Sequence, residues 1–230
     1  MKKKIVLVFC MAFLACALHA QDMTPLMQKL KAKLDQVNDY QASGILKTDI
    51  AFIKAPVSKI SVYFKRPNKF RLKKDGGISI LPKGGVSVTM TNVVDIPDFV
   101  ALAAGETTID GYPVKIVKVL PSNDSIEIVL ATLYIDEANL LVRRATVTTR
   151  ENGTYDISLG YGSYSNYGLP DKVVFSFNTK DYKLPKGITL EFDDDAKSSD
   201  MDKLKNKKGK VEIKYSSYIV NKGIDDSVFK

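Results

Sequence analysis

The 230-residue chain has no tryptophan, two cysteines and one histidine, and the last three (Cys10, Cys16 and His19) all lie in its opening stretch. That stretch carries Lys2, Lys3 and Lys4, an apolar run from Ile5 to Ala17, and the small-residue exit Leu18-His19-Ala20. This is the layout of a secretory signal peptide. Cleavage before Gln21 leaves a mature chain, residues 21–230, with neither thiol nor imidazole. The loss excludes disulfides, thiol nucleophiles, Cys/His zinc sites and every Ser-His or Cys-His arrangement for acyl transfer. Carboxylate, lysine, tyrosine and Ser/Lys chemistry remain.

Long hydrophobic runs are also scarce. The opening run of roughly 13 apolar residues falls short of the ~20 that a bilayer requires. Cys16 in the run Phe13-Leu14-Ala15-Cys16 offers lipid anchoring as an alternative to cleavage after Ala20, although Phe13 and Leu14 fit such a site poorly. Asp193, Asp194, Asp195, Asp200 and Asp202 lack the D-x-D-x-D-G spacing of a calcium loop, so no metal is implied. Gly76, Gly77, Gly84 and Gly85 bracket a hairpin instead of opening a helix, so no phosphate cradle and no cofactor is implied. Carboxylate pairs for glycoside hydrolysis are not excluded by type, but the acids fall mostly in turns or on wet faces. The expectation is a protein that is not an enzyme.

Discounting the three leader lysines lowers the formal net charge from +8 to about +5. An exported chain seldom meets nucleic acid, so the electrostatic partners left are an anionic membrane surface or an acidic protein. The run Lys203 to Lys210 is either a solvated segment or a patch for anionic headgroups.

From Thr24 to Asn38, Leu26, Met27, Leu30, Leu34 and Val37 recur at helical spacing, with Thr24 as N-cap and Pro25 at the first helical position. Lys29, Lys31 and Lys33 form its wet face. After Gly44 the period changes to two, in Leu46, Thr48, Ile50 and Phe52 and again in Ile60, Val62 and Phe64. Further strands are predicted at Val86–Met90, Val114–Val119, Ile126–Ile135, Leu140–Thr149, Thr154–Tyr161, Val173–Phe177, Ile188–Phe192 and Val211–Tyr215. Turn signals such as Asn152-Gly153 make the sheet mainly antiparallel. The segment Asp95–Gly105 lacks alternation, and its Pro97, Phe99, Leu102 and Ala103 predict a short mid-chain helix ended by Gly105. The run Ile126–Ile135 is apolar at both parities, which calls for apolar material on both sides of that strand. A mainly β (α+β) fold follows: about ten antiparallel strands in one sheet with helices against it.

The stretch Tyr63-Phe64-Lys65-Arg66-Pro67-Asn68-Lys69-Phe70-Arg71-Leu72-Lys73-Lys74 refines this. Ile60, Val62 and Phe64 share a face, the next residue of that parity is Arg66, and Phe70 and Leu72 resume the set beyond the Pro-Asn corner. Lys65, Lys69, Arg71 and Lys73 fall on the other face, where cations are hydrated. Arg66 either pairs with inward carbonyls and carboxylates, which its five donors suit, or runs to the rim and reaches water.

The sequences "KLKAKLDQVNDYQASG" and "VYFKRPNKFRL" resemble the start of LolA, the family of periplasmic lipoprotein carriers of Gram-negative bacteria. The corner motif is Lys65, Arg66, Pro67, Asn68 and Phe70. The resemblance is sharp over residues 29–72 and wider over the later strands. It departs at "GGISILPKGGVSVTM", where the family has an aromatic-rich strand. It implies an unclosed β-barrel whose apolar concave face is lidded by the N-terminal and mid-chain helices. It also implies a lid latch at Arg66 and a mouth at Phe70. The expected cavity and lid set is Ile60, Val62, Phe64, Arg66, Phe70, Leu72, Phe99 and Leu102, around a hollow with its opening beside Pro67. The implied ligands are acyl chains of lipoproteins or other lipids. Implied partners are an inner-membrane exporter and an outer-membrane acceptor, with the protein acting as a monomer. A non-transporting sensor that grips a membrane regulator is the alternative within the same superfamily.

Overall fold

The computed structural model describes residues 21–49, 57–75, 94–151, 153–178 and 208–230. The leader, the strands expected at 86–90 and 188–192, and the lysines from 203 to 207 lie outside the described residues.

Among the described residues, helix α1 (Thr24–Leu34) precedes ten strands: β1 (Asp39–Asp49), β2 (Ser58–Lys65), β3 (Lys69–Lys74), β4 (Phe99–Ile109), β5 (Tyr112–Pro121), β6 (Ile128–Asp136), β7 (Leu141–Thr149), β8 (Gly153–Gly160), β9 (Lys172–Asn178) and β10 (Lys208–Val220). They form a single antiparallel sheet in the order β3-β2-β1-β10-β9-β8-β7-β6-β5-β4. Among the described residues it stays unclosed, with β3 and β4 at its edges. The period-two pattern predicted for β1 is visible in its burial, with Tyr40, Ala42, Leu46 and Thr48 turned inward. The inward set of every strand from β1 to β10 joins one core with Leu26, Met27 and Leu30 of α1.

Helix α1 begins at Thr24, one residue earlier than a Thr24 cap would allow. The turn is closed by Asp22, whose carboxylate accepts from the Thr24 amide at 2.9 Å.

The helix expected over Asp95–Gly105 is not formed there: Phe99–Ile109 is the edge strand β4, paired with β5 from Phe99↔Pro121 to Ile109↔Tyr112. The turn between them, Asp110-Gly111, has positive φ at both residues (50° and 83°), the twist that a two-residue hairpin needs. Gly105 (φ 111°) sits in a bulge between Ala103 and Glu106 instead of capping a helix. The bulge interrupts the alternation, which is why the segment does not read as a strand.

A second bulge accounts for the two-faced run in β6. The register slips between Ile128 and Leu130, so Ile128 faces inward opposite Thr149, while Ala131, Leu133 and Ile135 face inward beyond the slip. One extra residue, Val129, switches the inward parity, and it is left exposed. No second apolar layer is required.

Candidate functional site

Helix α1 crosses the inner face of the sheet and is held at both ends. At its start, the Met23 amide donates to the Ala101 carbonyl (2.9 Å) and the Ala103 amide to the Gln21 carbonyl (3.0 Å), so residues 21–23 lie along the β4 edge. Past its end, the chain reaches the β2–β3 corner. Between these anchors Leu26, Met27 and Leu30 are buried on the sheet.

Arg66 occupies that corner at the end of β2. Its Nε donates to the Val37 carbonyl at 3.0 Å, one terminal nitrogen lies 2.6 Å from an Asp35 oxygen, and the other lies 3.4 Å from Asp95. Lys31 completes the cluster, pairing with Asp35 at 3.1 Å and with Asp95. Its ammonium is held above the usual lysine range chiefly by the Asp95 hydrogen bond, against a lowering by burial. One guanidinium therefore joins the end of α1, the connector after it and the segment leading into β4. Lys33 adds a further tie from α1 to the β6–β7 turn, donating to the Asn139 carbonyl at 2.6 Å.

Beneath this cluster lies an apolar wall. Val62 and Phe64 of β2 pair across the strands with Leu72 and Phe70 of β3. Ile60, Val62 and Phe64 are buried, whereas Phe70 and Leu72, on the edge strand, are half-buried. Phe64 stacks on Tyr40 (5.3 Å between centroids), and Tyr40 and Tyr164 both meet Tyr218. Burial pushes Tyr40, Tyr215 and Tyr218 above the usual phenol range, and Tyr218 donates to the Pro170 carbonyl at 2.7 Å.

Of the residues expected from sequence, Ile60, Val62, Phe64, Arg66, Phe70 and Leu72 come together on two adjacent strands. Phe99 lies at the opposite edge, on the inward parity of β4 with Ala101. Leu102 has the other parity and lies in the bridge to Asp22. Among the described residues a hollow of about 450 Å³ lies on the outer wall, lined by Ser43, Ile45, Lys59, Ser61 and Lys214 around the β1–β10 bulge, with Ile60 the member of the expected set that reaches it.

Asp35, Asp95 and Lys31 were not singled out from sequence. The i,i+4 spacing of Lys31 and Asp35 is a legible signal; the approach of Asp95 from a different part of the chain is not. The outward cations also differ from expectation. Lys65 and Lys69 both pair with Asp226 at 2.7 Å, and Arg71 donates to the Val228 carbonyl at 3.0 Å.

These features define an open antiparallel β-barrel with a helix laid across its concave face and tied down by a polar cluster. Solved structures of similar fold match about nine-tenths of the chain. A putative outer membrane lipoprotein-sorting protein domain from Vibrio parahaemolyticus matches 90% of this chain and 95% of its own at TM-score 0.57 and 9% identity. A DUF1329 family protein from Desulfovibrio piger matches 91% and 98% at TM-score 0.56 and 12% identity. A LolA superfamily protein from Nitrosomonas europaea matches 89% and 97% at TM-score 0.50 and 9% identity. The fold is LolA-like. No protein-family model and no curated protein sequence matches the chain.

Proposed function

We propose that residues 21–230 form one lipid-binding unit, exported by the leader 1–20 to the periplasm of a Gram-negative bacterium. There it carries acyl chains of lipoproteins or related lipids toward the outer membrane. The observation that carries this reading is the way α1 is held: an apolar stripe on an apolar wall, secured at the rim by Arg66 bridging Asp35, Asp95 and the Val37 carbonyl.

An acyl chain of about 14 methylenes, at about 0.8 kcal/mol each, gains on the order of 11 kcal/mol by leaving water. The three buried side chains of α1 gain roughly 1.5–3 kcal/mol each from the same wall. The acyl term exceeds the helix term by a few kcal/mol, against which the rim contacts of α1 count, so a chain can displace the helix and leave again when an acceptor binds it better. An isolated helix of 11 residues is marginal in water, so α1 depends on the wall and its rim contacts. Ile60, Val62, Phe64, Phe70, Leu72 and Phe99 would then contact cargo, and Arg66 would set how firmly the lid closes.

The protein acts without catalysis, as a monomer, between an inner-membrane exporter and an outer-membrane acceptor, with transient contact to anionic membrane through its surface lysines. Among the described residues no helix is long and apolar enough to cross a membrane, and no group of three or more His, Cys, Asp or Glu is placed to hold a metal ion.

The test is Arg66→Ala. The variant is expected to keep its far-ultraviolet spectrum while releasing a pyrene-labelled hexadecanoate several-fold faster. Unchanged release from a folded variant overturns the latch. Recovery of a single membrane protein and no lipid, when the wild type is taken from its own periplasm and extracted, replaces the carrier with a sensor.

A further inference from the structure

The connector between α1 and β1, residues 35–38, and the first residue of β1, Asp39, are gripped from two sides. From the inner side, Arg66 takes the Val37 carbonyl with Nε, and its own backbone amide donates to the Asn38 carbonyl at 2.8 Å. From the other side, Asn221, just past β10, takes the neighbouring groups. Its side-chain oxygen accepts from the Asn38 amide at 2.7 Å, its side-chain nitrogen donates to the Gln36 carbonyl at 2.7 Å, and its backbone amide donates to the Asp39 carbonyl at 2.9 Å. Asp39 answers by accepting from the amides of Lys222 and Gly223 at 3.1 and 3.0 Å.

The same segment then crosses to the outer side of the corner that carries Arg66. Lys65 donates to the Ile224 carbonyl (2.9 Å) and to Asp226, Lys69 reaches the other Asp226 oxygen, and Arg71 donates to the Val228 carbonyl. Residues 221–228 thus bind both halves of the latch from outside: the connector that supplies its acceptor and the strands that supply its donor.

Resting on the carrier reading above, we infer that Asn221 is a positioning residue for the lid, holding the connector so that the Val37 carbonyl and Asp35 stay within reach of Arg66. Asn221 suits the place for a backbone reason as well. Its φ of 55° lies in the left-handed region, which asparagine tolerates better than most residues. The ion pairs of Asp226 are exposed and contribute little each; the grip rests on the amide and carbonyl contacts of Asn221 and Asp39.

Asn221→Gly separates positioning from backbone strain, because glycine keeps the left-handed conformation and removes the side-chain contacts to the Asn38 and Asp39 amides and to the Gln36 carbonyl. Amide hydrogen exchange across Met27–Leu34 reads lid opening without any cargo. Loss of about two net hydrogen bonds predicts exchange faster by roughly five- to a hundredfold. Asn221→Asp keeps the acceptor for Asn38 and loses the donor to Gln36, so it is expected to fall between. In the double variant with Arg66→Ala, exchange should match Arg66→Ala alone, since both act on one contact set. Unchanged exchange in Asn221→Gly, or effects that multiply in the double variant, overturns the inference, as does a lowered urea midpoint with α1 exchange unaltered. If the wild type fails to bind the pyrene-labelled hexadecanoate, the carrier reading falls while α1 exchange still decides the role of Asn221.

Discussion

Arg143 and Arg144 are neighbours in sequence with different environments. Arg143 is buried and lies 2.7 Å from the equally buried Asp136, with its guanidinium 3.6 Å from the Tyr112 ring centroid and 5.5 Å from that of Tyr161. Arg144 pairs with Asp156 in the open. Nothing local distinguishes them; the bulge that places Arg143 beside Val142, opposite the Tyr134–Ile135 step, does so. Truncating one partner of a buried pair leaves the other charge stranded, so Arg143→Ala is expected to lower unfolding free energy by about 3–5 kcal/mol, against under about 1 for Arg144→Ala, both read from urea titrations. Burial alone would raise the Asp136 carboxyl, but hydrogen bonds from Arg143 and Asn139 hold it below its ordinary value of 3.8. A depressed carboxylate stabilises the fold above that value, and the contribution is lost as pH falls through the lowered one. Acid titration of wild type and Asp136→Asn should therefore converge at low pH. The latch had the opposite history: the inward place of Arg66 could be read by parity, but its partners could not.

At the scale of elements, α1 was legible because Leu26, Met27 and Leu30 repeat at helical spacing, and β1, β2 and β7–β10 because their apolar residues alternate. β4 and β6 were misread for one physical reason. A bulge adds a residue, and one added residue exchanges the two faces of a strand. The Asp110-Gly111 dipeptide was the available signal for β4. Gly44 marks a further bulge, where β10 carries an extra residue opposite Ser43–Gly44 of β1 and a Cβ would run into the Lys214 carbonyl. Helix and sheet should also respond differently to truncation. Leu133→Ala, in the middle of β6, is expected to cost about 2–5 kcal/mol of global stability. Leu30→Ala, on a lid that opens by itself, should move the urea midpoint less and accelerate amide exchange within α1 more, which hydrogen exchange on the two variants resolves.

Across the whole molecule, the tyrosines gather where the sheet wraps on itself: Tyr40 from β1, Tyr215 and Tyr218 from β10, and Tyr164 from the turn after β8. Burial raises Tyr40, Tyr215 and Tyr218, and takes Tyr155 to about 12. A phenol raised in the folded state contributes stability that is complete below its ordinary value of 10.0 and is lost as pH rises beyond it. Phenolate absorbance of this group should appear in one cooperative step together with loss of the fold. A gradual, non-cooperative rise for all tyrosines would contradict the packing.

The amino-acid order alone determined that a leader-like stretch holds every thiol and the imidazole, that a helix precedes a run of antiparallel strands, and that Arg66 interrupts an apolar face. These are properties of composition and of period, which need no distant contact. Tertiary structure decided which groups meet Arg66, which of two adjacent arginines is buried, and that Asn221 holds the connector after α1. Each depends on contacts between distant or offset stretches: the curl of the open sheet brings Asp35, Asp95 and Asn221 to one corner from three separate stretches of chain, and a bulge sets Arg143 apart from Arg144.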